Sequence, residues 1–239
     1  MTFKDRVALI AGGTGGLGRA VSQAFLAAGA KVIATYRNKQ EFDELKKMAG
    51  AGASNLVGSD VDVTDEAAVQ KFISTVAKEN SRLDFLVNAV GTYAGGVKLW
   101  EMDPDVFNQQ LKLNLISGYV LCRAVVPFMI KQRSGAIVNV ASKAALDHAA
   151  GAAAYAASKA AAMAMMNSLA ADLKGSGVRV NSILPSIIDT PANRKVMPGA
   201  DFAQWPKPED IARVILFLCG DDARVIHGAA IPVYGDSYG

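Results

Sequence analysis

The sequence predicts an α/β protein, a doubly wound parallel sheet of about seven strands (Rossmann type) in a single domain. Three observations predict it. Short runs rich in Val, Ile, Leu or Ala recur near 6–11, 31–36, 55–61, 83–88, 135–141, 178–184 and 229–234. Segments of helical character fall between them near 16–29, 40–49, 65–79, 104–132, 152–174 and 208–220. Hydrophobic residues make up 51% of the 239 positions, as expected for strands covered on both faces; an apolar subunit interface would raise the figure as well. Strand–helix alternation implies parallel strands, right-handed crossovers and helices on both sides of the sheet.

The first strand runs into Ala11-Gly12-Gly13-Thr14-Gly15-Gly16-Leu17-Gly18 and then directly into a helix. Glycines there allow a tight turn and let backbone N–H groups approach a pyrophosphate. The helix N-terminus adds partial positive charge. Gly13, Gly15 and Gly18 fit one nucleotide-binding spacing, Gly12, Gly15 and Gly18 a second, and Gly12, Gly16 and Gly18 a third. Spacing alone does not choose among them; the position between strand and helix is what predicts a dinucleotide site. Thr14 and Leu17 lie within the same turn as further cofactor contacts.

The second strand ends Ala34-Thr35-Tyr36-Arg37-Asn38, and the first acid beyond it is Glu41. An acid at the strand end would take the ribose 2′-hydroxyl of NAD. Arg37, with Asn38 beside it, instead offers a charged fork to a 2′-phosphate, which favours NADP over NAD. The competing reading of Arg37 is a solvated surface arginine.

Helix starts are expected at Thr64, Asp103 and Lys207-Pro208, and stops at Gly29, Gly50 and Gly175. No repeat or Gly/Ser linker divides the chain, so 1–239 reads as one domain. Residues 186–207 break the rhythm, with Pro191, Pro198, Gly199 and Pro206 and little periodicity. This segment is expected to be a substrate lid rather than a connector. Trp205 within it either pins the lid or touches a ligand.

Tyr155 and Lys159 stand at i and i+4 of an Ala-rich helix and share a face. A nearby ammonium favours the phenolate, so the pair can exchange a proton with a substrate oxygen. Ser142 lies thirteen residues before Tyr155, just past the strand Ala136–Val140. Ligands bind outside the carboxyl ends of parallel strands, which places Ser142 where a site should be.

Gly12-x-x-x-Gly16-x-Gly18, Asp62-Val63, Asn88-Ala-Val-Gly91, Asn114, Ser142, Tyr155-x-x-x-Lys159 and Pro185 with Thr190 together resemble the short-chain dehydrogenase/reductase family over nearly the whole chain. The compact length selects the G-x-x-x-G-x-G reading. The resemblance implies that Tyr155 is the general acid in reduction and the base in oxidation. It implies that Lys159 lowers the tyrosine pKa and holds the nicotinamide ribose, and that Ser142 bonds the substrate oxygen. Asn114 would hold a water linking Lys159 to solvent; its plain reading is a buried helix asparagine. Asp62 and the Val63 backbone would meet adenine, and Asn88 to Gly91 would line the cofactor. Pro185, the Ile188 backbone and Thr190 would orient the carboxamide.

The chain departs from the family pattern at Ala11, at Ala89-Val90, at Ser186 and at His227-Gly228. None removes a catalytic group. The resemblance implies a ketone or secondary alcohol as substrate and a homodimer or homotetramer formed through the two long helices 104–132 and 152–174. The lid stretch from Asp189 to Trp205 is similar to dihydropteridine reductases, which leaves a pteridine or quinone substrate as an alternative. A cofactor-binding sensor without turnover is the alternative from another class; such proteins usually lose part of the Tyr-Lys-Ser set, and this chain keeps all of it.

A net charge of +3, with cations scattered and no run longer than a pair such as Lys46-Lys47, gives no case for nucleic acid. Cys122 and Cys219 match no metal spacing and read as buried hydrophobes in a reducing compartment. No signal-like segment opens the sequence and no uncharged apolar stretch reaches membrane length, so a cytoplasmic protein without a membrane partner is expected.

Overall fold

The computed structural model describes residues 2–237, so the outermost positions of the 1–239 domain lie outside the described residues. Seven parallel strands form one sheet: β1 (Val7–Ala11), β2 (Lys31–Tyr36), β3 (Leu56–Asp60), β4 (Phe85–Asn88), β5 (Gly135–Val140), β6 (Val178–Pro185) and β7 (Ala230–Val233). Their spatial order is β3-β2-β1-β4-β5-β6-β7. Each lies where the apolar runs predict it. Chain direction across the sheet reverses between β1 and β4, opening a crevice at the carboxyl ends of these strands. All five residues of β1 are buried, because helices cover both faces.

The helices are α1 (Gly16–Ala27), α2 (Lys39–Met48), α3 (Glu66–Asn80), α4 (Pro104–Leu111), α5 (Ser117–Gln132), α6 (Ala153–Asp172), α7 (Pro191–Val196) and α8 (Pro208–Cys219). Leu17, Val21 and Phe25 of α1 pack with Ile211, Ile215 and Leu218 of α8 against Ala8 and Ile10 of β1. Leu9 and the other alternate residues of β1 face Ile73 of α3, Leu121 and Val125 of α5 and Met166 of α6. Alternation along a strand thus sends successive side chains into two separate cores.

Three local expectations change. The predicted 104–132 helix is interrupted by a π-turn over Lys112–Ile116, centred on Asn114, whose side chain is drawn inward by the partners described below. The third helix is capped by Asp65, which accepts from Ala68 N–H at 3.0 Å; Thr64 instead donates its hydroxyl to Asp62 Oδ1 at 2.6 Å. The 186–207 segment is folded: α7 and a turn at Phe202–Gln204 lie within it, and Arg194 clasps Asp189 through two bonds of 2.5 and 2.8 Å. Trp205 is buried and packs on Phe202 at 5.0 Å, so it pins the segment.

The stretch Pro104–Gln132 matches a membrane span by length and apolarity, but half of its most apolar window is buried inside the domain and it carries Arg123. It is a core helix of the fold.

Candidate active site

The glycine turn is built by close approach. Gly12 sits at φ +72°, a conformation that favours glycine. A Cβ on Gly18 would lie 2.0 Å from the Gly12 carbonyl oxygen, and one on Gly16 would lie 2.9 Å from Thr190 Cγ2. Both positions therefore need bare backbone. Thr35, buried on β2, accepts the Gly12 N–H at 2.9 Å through its hydroxyl and the Gly13 N–H at 3.0 Å through its carbonyl. Ser22 donates to the Gly13 carbonyl at 3.1 Å. Thr35 and Ser22 escaped the sequence reading. Their one signal was polarity at positions where the strand and helix periods point inward. The result is a cradle of backbone at the start of α1, next to the β1–β4 crevice, and it fits the pyrophosphate of a dinucleotide.

The other predicted cofactor residues surround this cradle. Thr14 is buried and donates its hydroxyl to Glu41. Leu17 is buried in the first turn of α1. Arg37 is exposed at the end of β2, and Asn38 caps α2 by accepting from Gln40 N–H. Asp62 binds Thr64 through Oδ1, and that bond holds its carboxyl below the usual carboxylate range. Val63 is buried. Asn88 donates to Asn139 Oδ1 at 3.1 Å across β4 and β5. Pro185 ends β6. The Ile188 carbonyl is occupied by the Asn193 side chain at 2.8 Å, and the Thr190 hydroxyl caps α7 by accepting from Asn193 N–H. Ile188 and Thr190 thus spend acceptors within the 186–207 segment itself.

The Ser-Tyr-Lys set comes together at the carboxyl end of β5. Ser142 caps the turn after the strand, accepting from Ala144 N–H at 3.2 Å, and its hydroxyl also bonds the Tyr155 phenol. Lys159 is 5% exposed. Its Nζ donates to the Val140 carbonyl at 2.9 Å and lies 6.0 Å from the Tyr155 ring centroid. Gly91 makes room for it: a Cβ there would lie 3.1 Å from Lys159 Nζ and 3.0 Å from Asn114 Oδ1.

Asn114 reaches this centre through the π-turn. Its Nδ2 donates to the Thr92 carbonyl (3.0 Å) and to Ser158 Oγ (2.9 Å), and its Oδ1 accepts from Thr92 N–H (2.9 Å). Ser158 in turn donates to the Tyr155 carbonyl at 2.8 Å. Ser158 was not singled out in the sequence, although it is a polar residue inside the Tyr155–Lys159 turn. Asn114 is buried, and the same bonds tie the loop after β4 to the helix that carries the tyrosine.

Burial governs the electrostatics of the pair. Burial pushes the Tyr155 phenol up; the Ser142 bond opposes this and Tyr93 adds to it. Burial pushes Lys159 down to about 8. Lys159 Nζ is turned to the Val140 carbonyl. Tyr93 packs edge-on against the Tyr155 ring at 5.0 Å and 81°. His148 is exposed, as expected of a loop histidine.

A doubly wound sheet, a bare-backbone cradle at the first helix and a Ser-Tyr-Lys set with its lysine buried at the carboxyl end of β5 define a dinucleotide-dependent oxidoreductase. The family model described as "short chain dehydrogenase" matches residues 6–201, and the chain belongs to that family, whose members carry out NAD(P)-dependent oxidoreduction of oxo and hydroxyl groups. It is 33% identical over 243 residues to the 3-oxoacyl-acyl-carrier-protein reductase of Thermotoga maritima, covering 98% of each chain. It is 34% identical to the meso-2,3-butanediol dehydrogenase of Serratia marcescens, covering 98% of this chain and 95% of that one. Among solved structures, ElxO with NADP bound superposes with a TM-score of 0.91 at 26% identity, covering 96% and 97% of the two chains. NAD+-bound xylitol dehydrogenase gives 0.91 at 25% identity, covering 98% and 100%.

Proposed function

We propose that this chain reduces a ketone to a secondary alcohol, or runs the reverse oxidation, with Tyr155 as proton donor and NADP as the preferred cofactor. The observation that carries the reading is the convergence of Ser142, Tyr155 and buried Lys159 at the carboxyl end of β5, near the glycine cradle. The nicotinamide supplies the hydride. Ser142 bonds the substrate oxygen and holds it against the phenol of Tyr155. Tyr155 donates the proton that the reduced oxygen needs, and takes it back in the oxidative direction. Lys159, poised near 8 by burial, responds to charge placed beside it and holds the ribose hydroxyls. Asn114 fixes the loop after β4 against α6. Exposed Arg37, at the end of β2, would pair with a 2′-phosphate and so favour NADP.

Relatives that act on 3-oxoacyl-carrier-protein and on meso-2,3-butanediol both convert a carbonyl or secondary alcohol, which supports this substrate class. The segment 186–207 serves as the lid, its Thr190 seated on Gly16. Tyr119 and Ile130 are exposed on α5, in keeping with a homodimer or homotetramer packed through α5 and α6. The reading places the enzyme in the cytoplasm, with Cys122 and Cys219 as buried free thiols.

The test is NADPH consumption against a panel of ketones, diketones and quinones, with Tyr155→Phe as control. Turnover on a ketone that falls by roughly 10³-fold in Tyr155→Phe supports the reading. Tight cofactor binding with no turnover on any carbonyl overturns it in favour of a sensor. A single assembly of two or four chains in sizing chromatography at micromolar concentration checks the oligomer.

A further inference from the structure

The region just past the end of β2 carries two opposite charges, Arg37 and Glu41. Glu41 lies in the first turn of α2, and its Oε2 accepts the hydroxyl of Thr14 at 3.0 Å. Thr14 is only 6% exposed and belongs to the turn that forms the cradle, so the carboxylate reaches from the second helix across to the first turn.

That reach is fixed by packing. The next residue, Phe42, is buried and stacks on Tyr36 at 5.0 Å. Gly58 on β3 leaves space for its ring, since a Cβ there would lie 2.5 Å from Phe42 Cζ. One turn on, Glu44 takes Arg19 of α1 at 3.4 Å. These contacts hold α2 against the cradle and leave the Glu41 side chain little choice of direction.

The neighbouring cations are differently engaged. Lys39 pairs with Asp43 one turn along α2 and lies 5.5 Å over the Phe42 ring. Arg37 is exposed and forms no ion pair among the described residues, although its charge is felt at Asp62.

We propose that Glu41 is a cofactor-specificity residue. It accepts a hydroxyl of the adenosine ribose of NAD(H) and repels the 2′-phosphate of NADP(H), so that Arg37 gives NADP its advantage and Glu41 limits it. This rests on the cradle being a dinucleotide site and goes beyond it by assigning the opposing charge. An acid normally discriminates from the end of the second strand; here it does so from the first turn of the following helix, through Thr14. Binding of a 2′-phosphate must open the Thr14–Glu41 bond or place a dianion beside the carboxylate, whereas a 2′-hydroxyl can join that bond.

The test is equilibrium binding to the full chain, with NADPH and NADH followed by nucleotide fluorescence and 2′,5′-ADP and 5′-AMP by calorimetry. Glu41→Gln keeps an acceptor for Thr14 and removes the charge. It is expected to bind NADPH and 2′,5′-ADP about tenfold more tightly than wild type while NADH and 5′-AMP change by less than about threefold. The gain is expected to shrink from 50 to 500 mM salt, by roughly the screening of a solvent-exposed pair. Arg37→Gln is expected to weaken NADPH about tenfold and leave NADH unchanged. An NADPH-to-NADH affinity ratio unmoved in Glu41→Gln, with an unchanged melting temperature, overturns the proposal for Glu41 alone. A wild-type chain that binds neither nucleotide overturns the dinucleotide reading itself.

Discussion

The two ends of the sheet bury ionisable groups equally well and treat them in opposite ways. At the amino end, Asp84 is 1% exposed. Burial pushes its carboxyl up, but bonds from Arg82, from Val7 N–H and from Arg6 outweigh this and hold it below the usual carboxylate range. Those contacts run from 2.6 to 2.9 Å. At the carboxyl end, Lys159 is 5% exposed, receives no counter-charge within salt-bridge range among the described residues, and is driven down to about 8 by burial alone. A buried charge with partners is structure. A buried charge without them is held ready for something that binds.

That contrast is broken or sharpened by removing each group in turn. The largest effect is expected at the carboxyl end and in activity only. Lys159→Met should lower turnover by roughly 10³-fold while raising the melting temperature at neutral pH. A large loss of stability with retained turnover would reverse the assignment of the two ends. Asp84→Ala should do the opposite. It strands Arg6 and Arg82 and leaves the Val7 N–H unpaired, at a cost of about 3 kcal/mol, with activity per folded molecule unchanged. Asp84 is a carboxyl lowered by folding, so its contribution is present above the unfolded carboxyl's pKa and fades as pH falls through the folded value. Acid unfolding monitored by circular dichroism should therefore lose part of its acid limb in Asp84→Asn.

The pH response of Lys159 has the reverse cause and the opposite window. Its folded pKa, about 8, lies below its ordinary 10.5, so between these values the unfolded chain binds more protons and stability rises with pH. Below about pH 8 the charged, buried ammonium costs the fold about 1–3 kcal/mol. Denaturant midpoints of wild type and Lys159→Met should thus differ at pH 7 and converge above pH 10.5. A constant difference across that range would mean that the lysine is not desolvated in solution.

Sequence reading reached most of the frame because the signals there are periodic. All seven strands follow from regularly recurring apolar runs, as strands covered on both faces should, and the Tyr155–Lys159 spacing from the 3.6-residue helical repeat. The π-turn at Asn114 left no trace of this kind, since it depends on Thr92, which is distant in sequence and reaches Asn114 only when β4 and the helix pack. The order of the 186–207 segment left no periodic trace for a similar reason. Its order comes from specific pairs, Asp189 with Arg194 and Trp205 with Phe202, rather than from an amphipathic stripe. The burial of Tyr155 and Lys159 left no such trace, because helical spacing brings two residues to one face but says nothing about how dry that face is. Glu41 was visible only as an acid slightly past the expected place; its link to Thr14 needed α2 to be docked.

Gly91 offers the smallest and most diagnostic change at the catalytic end. Its backbone is not in the left-handed region, so alanine adds no conformational strain there. The new methyl would sit 3.0 Å from Asn114 Oδ1 and 3.1 Å from Lys159 Nζ, close enough that one of them must move by a few tenths of an ångström. The Asn114 carboxamide is held by Thr92 on both its oxygen and its nitrogen, whereas Lys159 Nζ is held by a single carbonyl. The lysine yields first. Gly91→Ala should therefore lower kcat about tenfold with less than about 1 kcal/mol of lost stability, because effects of sub-ångström misplacement fall on catalysis before they fall on folding. Thermal melts beside steady-state kinetics check this. If stability fell by several kcal/mol instead, the asparagine would be the group displaced, and the carboxyl end would prove as structurally committed as the Asp84 end.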